Sequence, residues 1–239
     1  SHIFHLAASA GVRASIKNPY KFIDENISNT IKVFEFAKKN RITKIYYASS
    51  SSVYGKSDKY PSKENYQLNN PLSIYGITKI TTENIATYYY NIFNISSVGF
   101  RFFTVYGPLG RPDMSIAIFI DAIKKNKTIL LNNNGNNYRD YTYVDEIIFY
   151  IYQVFMKTDK IKKFNKVFNI GGQKNYKISL VVKLLEKLIS KKAKKKYLNK
   201  LKVDPVKSLS SNLKISKFVK KKFKSISLVD GLKKIIELN

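Results

Sequence analysis

The side chains of this 239-residue chain best suited to chemistry are Tyr75 and Lys79 in "PLSIYGITK" and four consecutive serines, Ser49 to Ser52, in "KIYYASSSSVYG". On a helix, residues four apart are neighbours on one face, so the phenol and the ammonium would lie side by side. A free phenol titrates at about pH 10 and is a poor base at neutral pH until a nearby cation favours its phenolate. Lys79 could supply that charge. A serine hydroxyl reaching the same substrate oxygen would hold it in line for proton transfer. The chemistry suggested is removal of a proton from a substrate hydroxyl. The spacing alone is weakly specific, because in so lysine-rich a chain chance supplies about three Tyr-x-x-x-Lys pairs. Tyr75 is nevertheless the one tyrosine with a lysine four residues on. The competing reading is an ordinary surface tyrosine and lysine beside a polar loop.

These residues need elements that bring them together. "HIFHLAA" (2 to 8), "TKIYYAS" (43 to 49) and "ISSVGFRFF" (95 to 103) are apolar runs of buried-strand length. Between the first two, Asn18 and Pro19 open a helical stretch in which Phe22, Ile23, Ile27, Ile31, Phe34 and Ala37 recur at helical spacing. Between the second two, Asn70 reads as an N-cap and Pro71 as the first helical position of the helix carrying Tyr75 and Lys79. On that helix Ile74, Ile77, Ile85, Tyr88 and Ile92 form an apolar stripe expected to face the core. Tyr75, Lys79, Thr82 and Ala86 form a second stripe at its border. Alternating strand and helix predicts an α/β fold with a doubly wound parallel sheet. Ligands of such sheets sit at the carboxyl ends of the strands, where the serines fall.

Beyond Phe103 the texture changes. "TVYGPLGRPDM" reads as a loop, 114 to 126 as a helix, and "TILLNNNGNNYRDYTYV" as a hairpin turning around Gly135. A helix is expected from near Asp145, a strand at 166 to 172 and an amphipathic helix from Ile178 to Ser190; residues from 203 carry little signal. No internal repeat or Pro/Gly/Ser linker is present.

Composition narrows the class. With no cysteine and two histidines, a disulfide framework and a thiolate metal site are excluded, a zinc enzyme is disfavoured and no metal is expected. A cytoplasmic setting fits. No apolar run reaches the roughly 18 residues of a membrane span, and the first residues lack the order of a signal peptide. The net charge of +27 is discounted as a sign of nucleic-acid binding: five of the 43 basic residues are arginine, and lysine rises together with Asn, Ile, Tyr and Phe, as A/T-rich coding would produce. The run from Lys191 to Lys202 reads as a solvated helix end or linker. A polyanion-binding surface is the alternative. The chain opens at Ser1 inside a strand pattern and its first methionine is Met114, so an N-terminal part with the first strands is expected to be missing.

"YASSSSVYG", "YGITK", "RFFTVYGPLGRPDM" and "RDYTYVDE" together resemble the extended short-chain dehydrogenase/reductases of the NAD-dependent epimerase/dehydratase type, most closely the nucleotide-sugar 4-epimerases acting on UDP-glucuronate. The resemblance covers residues 2 to about 190, with the motifs in the family's order. It implies a Rossmann-type domain holding NAD (1 to 103) and a smaller α/β substrate domain (104 to 239), with 166 to 172 returning to the Rossmann sheet. It implies that Tyr75 takes the proton of the sugar's 4-hydroxyl as hydride passes to the nicotinamide, that Lys79 lowers the tyrosine pKa and holds the nicotinamide ribose, and that Ser50 bonds the 4-oxygen. The keto intermediate then turns in the site and the hydride returns to its other face, so that UDP-glucuronate and UDP-galacturonate interconvert. Ser51, Ser52, Thr104 and Arg111 become candidates for the sugar carboxylate, since arginine grips a carboxylate bidentately. Arg13 could assist the carboxylate or the diphosphate, and Arg139 matches a position near the diphosphate. Leu6, Ala7 and Ala8 would line NAD, with Asn26 near the site and Phe103 beside the nicotinamide. Members often dimerise through the helix carrying the tyrosine.

Two departures stand out. The glycine-rich fingerprint that holds the pyrophosphate, and the acidic residue after it, are absent from these residues. "KVDPVKSLSSN" keeps only a loose likeness to the family's Gly-Asp-Val segment. Alternatives are a UDP-N-acetylhexosamine 4-epimerase, a related dehydratase, whose Asp-Glu pair is replaced here by Ser51 and Ser52, and an inactive fragment or non-catalytic polyanion-binding domain.

Overall fold

The computed structural model describes residues 1–238. The first apolar run forms β1 (His2–His5). Then come α1 (Val12–Lys17), α2 (Pro19–Ile23), a π-helical turn over Asp24–Ser28, α3 (Asn29–Lys39) and β2 (Lys44–Ser50). The serines continue from β2 into a 3-10 turn, Ser51–Tyr54, and α4 (Ile74–Phe93) leads back to β3 (Ser96–Phe102) and β4 (Thr104–Tyr106). The remainder comprises α5 (Ser115–Lys124), β5 (Thr128–Asn132), β6 (Tyr138–Tyr143), α6 (Val144–Asp159), β7 (Asn165–Ile170), β8 (Asn175–Lys177), α7 (Ile178–Ile189), β9 (Lys194–Leu198), α8 (Leu213–Val219) and α9 (Leu228–Leu238).

β1, β2, β3 and β7 pair in that order, all parallel. The two central strands are buried almost throughout, as a parallel sheet covered on both faces requires. On one face Tyr46, Phe100 and Phe168 pack with Ile147, Tyr150 and Val154 of α6. On the other, Ile45 and Tyr47 meet Phe34 of α3 and Ala86 and Tyr89 of α4. The doubly wound architecture is therefore the one that the alternation of strand and helix predicts. A second core, around Phe119, Ile123, Leu131, Val182, Leu185 and Leu232, joins α5, α7 and α9 to the smaller sheets β4-β6-β8 and β5-β9.

Several local expectations are corrected. α4 begins at Ile74, not at Pro71: Ser73 is the cap, its hydroxyl accepting the Gly76 N–H at 3.0 Å. Its faces are also reversed. Thr78, Lys79, Thr82, Glu83 and Ala86 are buried, whereas Ile77, Tyr88 and Ile92 are 41%, 53% and 59% exposed. Polar groups can be buried when they are paired: Lys79 and Glu83 find partners at the strand ends, and Thr78 and Thr82 donate to carbonyls of α4 itself. In the preceding helical stretch the π turn adds a residue and shifts the phase. Phe22, Asn26, Thr30, Phe34 and Ala37 are buried there, while Ile23 and Ile31 face outward.

Residues 128 to 143 do not form a hairpin. β5 pairs in parallel with β9, whereas β6 pairs with β4 and β8. The lysine run is thus neither a helix end nor a linker: Lys194–Leu198 is a strand laid beside Ile129 and Leu131, both buried. The segment after 203, silent in sequence, is strapped down, with Tyr138 N–H donating to Val206 C=O and Ser62 N–H to Leu209 C=O, both at 2.8 Å.

Gly55 ends the serine turn at φ 57° and ψ −133°, and a Cβ there would stand 1.7 Å from the Asn70 carbonyl oxygen. Gly55→Ala should lower the unfolding free energy by about 2 kcal/mol or more in urea titration. An unchanged midpoint and slope would mean that the turn relaxes at no cost.

Candidate active site

The carboxyl ends of β1, β2 and β3 form the floor of a cleft of about 600 Å³. α4 forms one wall and the loop after β4 another. Tyr75, Lys79 and Glu83, at i, i+4 and i+8, share one face of α4 and reach the end of β2. The Ser50 hydroxyl lies beside the Tyr75 phenol and pulls its pKa down, and Ser50 Oγ accepts the Ser52 N–H at 3.1 Å, which caps the serine turn. Lys79 Nζ donates to the Ala48 carbonyl at 2.8 Å.

Burial dominates the electrostatics. It brings the Lys79 ammonium down to about 8. It also raises the Tyr75 phenol above its ordinary value, against the opposing pull of the Ser50 hydroxyl and the Arg111 charge. The expectation that Lys79 lowers the phenol is not met in this geometry: Tyr75 lies above its ordinary value, and the cation whose field reaches it is Arg111.

Arg111, on the loop after β4, holds Asp113 in a fork, Nε to Oδ1 at 2.9 Å and Nη2 to Oδ2 at 2.6 Å, and Nη2 also donates to the Ala10 carbonyl at 3.3 Å. Arg139 donates to the Tyr138 and Pro205 carbonyls and makes no ion pair with Asp140. Asp140 is buried and instead accepts the Gly172 and Ser210 N–H groups. Arg13 forms an ion pair with Asp204 at 2.5 Å.

Among the expected residues, Ser50, Ser51, Ser52, Tyr75 and Lys79 line the cleft together with Phe103, Thr104, Arg111 and Arg139, and Leu6 and Ala8 border it at the end of β1. Ala7, Arg13 and Asn26 are not part of the lining. Asn26 is buried and ties Ser9 to α4: its Oδ1 accepts the Ser9 N–H, and its Nδ2 donates to the Ser9 carbonyl and to Thr78 Oγ1. The segment "KVDPVKSLSSN", discounted in the sequence for its loose likeness, forms a strap at 203 to 208 from which Asp204, Lys207 and Ser208 line the cleft. The sequence reading missed the buried pair Glu83–Arg101. The signal available for Glu83 was its place four residues beyond Lys79.

A dinucleotide's nicotinamide half fits these strand ends. Leu6 is 46% exposed and Ala8 is exposed, a small apolar shelf on the same cleft as Lys79 and Tyr75. Among the described residues no cluster of His, Cys, Asp and Glu could hold a metal ion, and no helix is long and apolar enough to cross a membrane.

Residues 1–171 match the NAD dependent epimerase/dehydratase family. UDP-glucuronate 4-epimerase of Thermodesulfobacterium geofontis is 38% identical over 239 residues, covering 99% of this chain and 71% of that protein. UDP-glucuronate 4-epimerase 5 of Arabidopsis thaliana is 35% identical over 250 residues, covering 99% of this chain and 57% of the plant protein. The crystal structure of UDP-glucuronic acid 4-epimerase from Bacillus cereus, in complex with UDP-glucuronic acid and NAD, superposes with a TM-score of 0.91 at 32% identity, covering 99% of this chain and 74% of that one.

The depressed Lys79 has a measurable consequence. Between about 8 and its ordinary 10.5 the unfolded chain keeps a proton that the folded chain has released, so this group's contribution to stability increases as pH rises through that window. Stability of the unsubstituted protein relative to Lys79→Met should therefore increase by about 1 to 2 kcal/mol between about pH 8 and about pH 9.5. A flat difference would mean that the ammonium keeps its ordinary pKa.

Proposed function

Because the chain belongs to the NAD-dependent epimerase/dehydratase family, we propose that it inverts C4 of a nucleotide sugar, interconverting UDP-glucuronate and UDP-galacturonate with NAD as its resident cofactor. The observation that carries this reading is the convergence of Tyr75, Ser50 and Lys79 on one cleft whose other wall presents Arg111. The likeness to UDP-glucuronate 4-epimerases over nearly the whole chain supports it.

In this reading the sugar's 4-oxygen sits between Ser50 and Tyr75, which face each other in the cleft. Tyr75 takes the 4-hydroxyl proton and returns it after the ring has turned, while Ser50 keeps the oxygen in line. Lys79, one helical turn on in the same row, holds the cofactor ribose, and Arg111 supplies the positive charge that reaches the phenol. When bound, NAD takes up the C4 hydride and gives it back. Leu6, Ala7, Ala8 and Phe103 hold its nicotinamide side, and Asn26 fixes the turn at Ser9 that borders it. Residues 1 to 103, with β7, serve the cofactor; 104 to 239 mainly serve the sugar nucleotide.

Ser51, Ser52, Thr104 and Arg111 receive the sugar carboxylate, a group that a guanidinium recognises by a fork of two hydrogen bonds. Arg139, which lines the cleft beside the strap at 203 to 208, faces the diphosphate, and Arg13 acts through the strap that it holds at Asp204. A second reading, a UDP-N-acetylhexosamine 4-epimerase, is favoured by one observation: Asp113 already fills the Arg111 fork, which a neutral sugar would leave in place. The lack of cysteine accords with a cytoplasmic setting.

The outward apolar stripe of α4, with Ile77, Tyr88 and Ile92, supports a homodimer formed through this helix. Soluble monomers seldom leave such a face open.

Tyr75→Phe should lower kcat for UDP-glucuronate about 100- to 10,000-fold; an unchanged rate would remove the tyrosine from the chemistry. Arg111→Ala should raise KM for UDP-glucuronate about 30-fold while leaving any turnover of UDP-N-acetylglucosamine within a small factor. Equal losses on both substrates would contradict the carboxylate assignment. Tyr88→Lys should convert a dimer to a monomer in sedimentation velocity, and a dimer that survives it would place the interface elsewhere.

A further inference from the structure

Below the Tyr75–Ser50 contact lies a second layer of polar groups. Ser49 Oγ donates to Glu83 Oε1 at 2.5 Å. Glu83 is held in a fork by Arg101, Nε to Oε1 at 2.8 Å and Nη2 to Oε2 at 2.7 Å. Both charged residues are at least nine-tenths buried, and neither lines the cleft. Arg101 stands opposite Ser49 in the β2–β3 register and opposite Asn169 in the β3–β7 register. Its remaining nitrogen, Nη1, donates to Tyr54 Oη at 3.0 Å, and Tyr54 in turn donates to Asn169 Oδ1 at 2.6 Å.

One guanidinium therefore holds both ends of the serine turn. Ser49 precedes the turn and is reached through Glu83; Tyr54 is its last residue and is reached directly. Ser50, Ser51 and Ser52 lie between these anchors. A buried ion pair contributes little net stability over an apolar pair of similar size, so its value here lies in fixing position. Directional hydrogen bonds fix the turn's height above α4 in a way that apolar contacts would not.

Resting on the epimerase reading above, we propose that Glu83 and Arg101 are positioning residues that clasp the serine turn at Ser49 and Tyr54 and hold Ser50 in register with Tyr75. Removing either charge would strand the other in the core, so the decisive variants cut the ties and leave the pair intact. In Ser49→Ala and in Tyr54→Phe, kcat for UDP-glucuronate should fall about five- to tenfold, with KM within twofold and the melting temperature lowered by several degrees as one buried hydrogen bond is lost. In the double variant the fall should reach about 50-fold. Amide exchange over residues 51 to 54 should accelerate at least about tenfold in both single variants. In Tyr75→Phe, by contrast, exchange in the turn should stay slow although turnover is lost. Unchanged kcat in the double variant, a loss confined to KM, or unchanged exchange in the turn would each overturn the proposal. If the unsubstituted protein turns over no UDP-sugar, the epimerase reading fails by itself. Exchange then decides the clasp alone: acceleration supports it, and no acceleration overturns it.

Discussion

The architecture of the cleft depends on α4 burying its polar face. A lysine, a glutamate and two threonines of this helix lie against the sheet, an arrangement that would be prohibitive if those groups were unpaired. It is tolerated because the threonines donate to carbonyls of their own helix and the end of β2 offers partners to the charged groups, the Ala48 carbonyl for Lys79 and the Ser49 hydroxyl for Glu83, with Ser50 beside Tyr75. Arg101 then neutralises the glutamate. These ties fix the rotation of α4 about its axis. That rotation aims Tyr75 at the cleft and turns Ile77, Tyr88 and Ile92 outward. Active-site geometry and the unpartnered apolar stripe are two consequences of one packing choice.

The arginines at and beside the cleft are each held by neighbours. Arg111 is forked by Asp113, Arg13 is paired with Asp204, and Arg139 is satisfied by backbone carbonyls. Despite the net charge of +27, the arginines nearest the cleft are therefore held by neighbours. On the proposed reading, an anionic ligand would bind there by exchanging partners, so that selectivity is a difference between two contacts rather than a raw attraction. The strap at 203 to 208 belongs to this arrangement, since Asp204 and Pro205 supply partners to Arg13 and Arg139 from far along the chain.

Much of the fold was legible in the sequence for one physical reason: β2 and β3 are buried on both faces, so each reads as an unbroken apolar run. The Tyr75–Lys79 row and the serines were legible because spacing on a helix and the end of a strand are local facts. What failed was what depends on a distant partner. Hydrophobicity favoured the isoleucine stripe of α4 as its inner face, because the partners of Lys79 and Glu83 lie in β2 and β3. Residues 128 to 143 looked like a hairpin because nothing local reveals that β5 pairs with the lysine-rich β9. The π turn at Asp24–Ser28 leaves no mark in composition, and the pairing of Arg13 with Asp204 spans almost the whole chain.

The most direct measurement is an NMR time course of the purified protein with NAD and UDP-glucuronate deuterated at C4. C4 inversion through a 4-keto sugar with the hydride kept in the site predicts that UDP-galacturonate appears with its deuterium still at C4. No inverted product, or product that has exchanged that deuterium for solvent hydrogen, would contradict it.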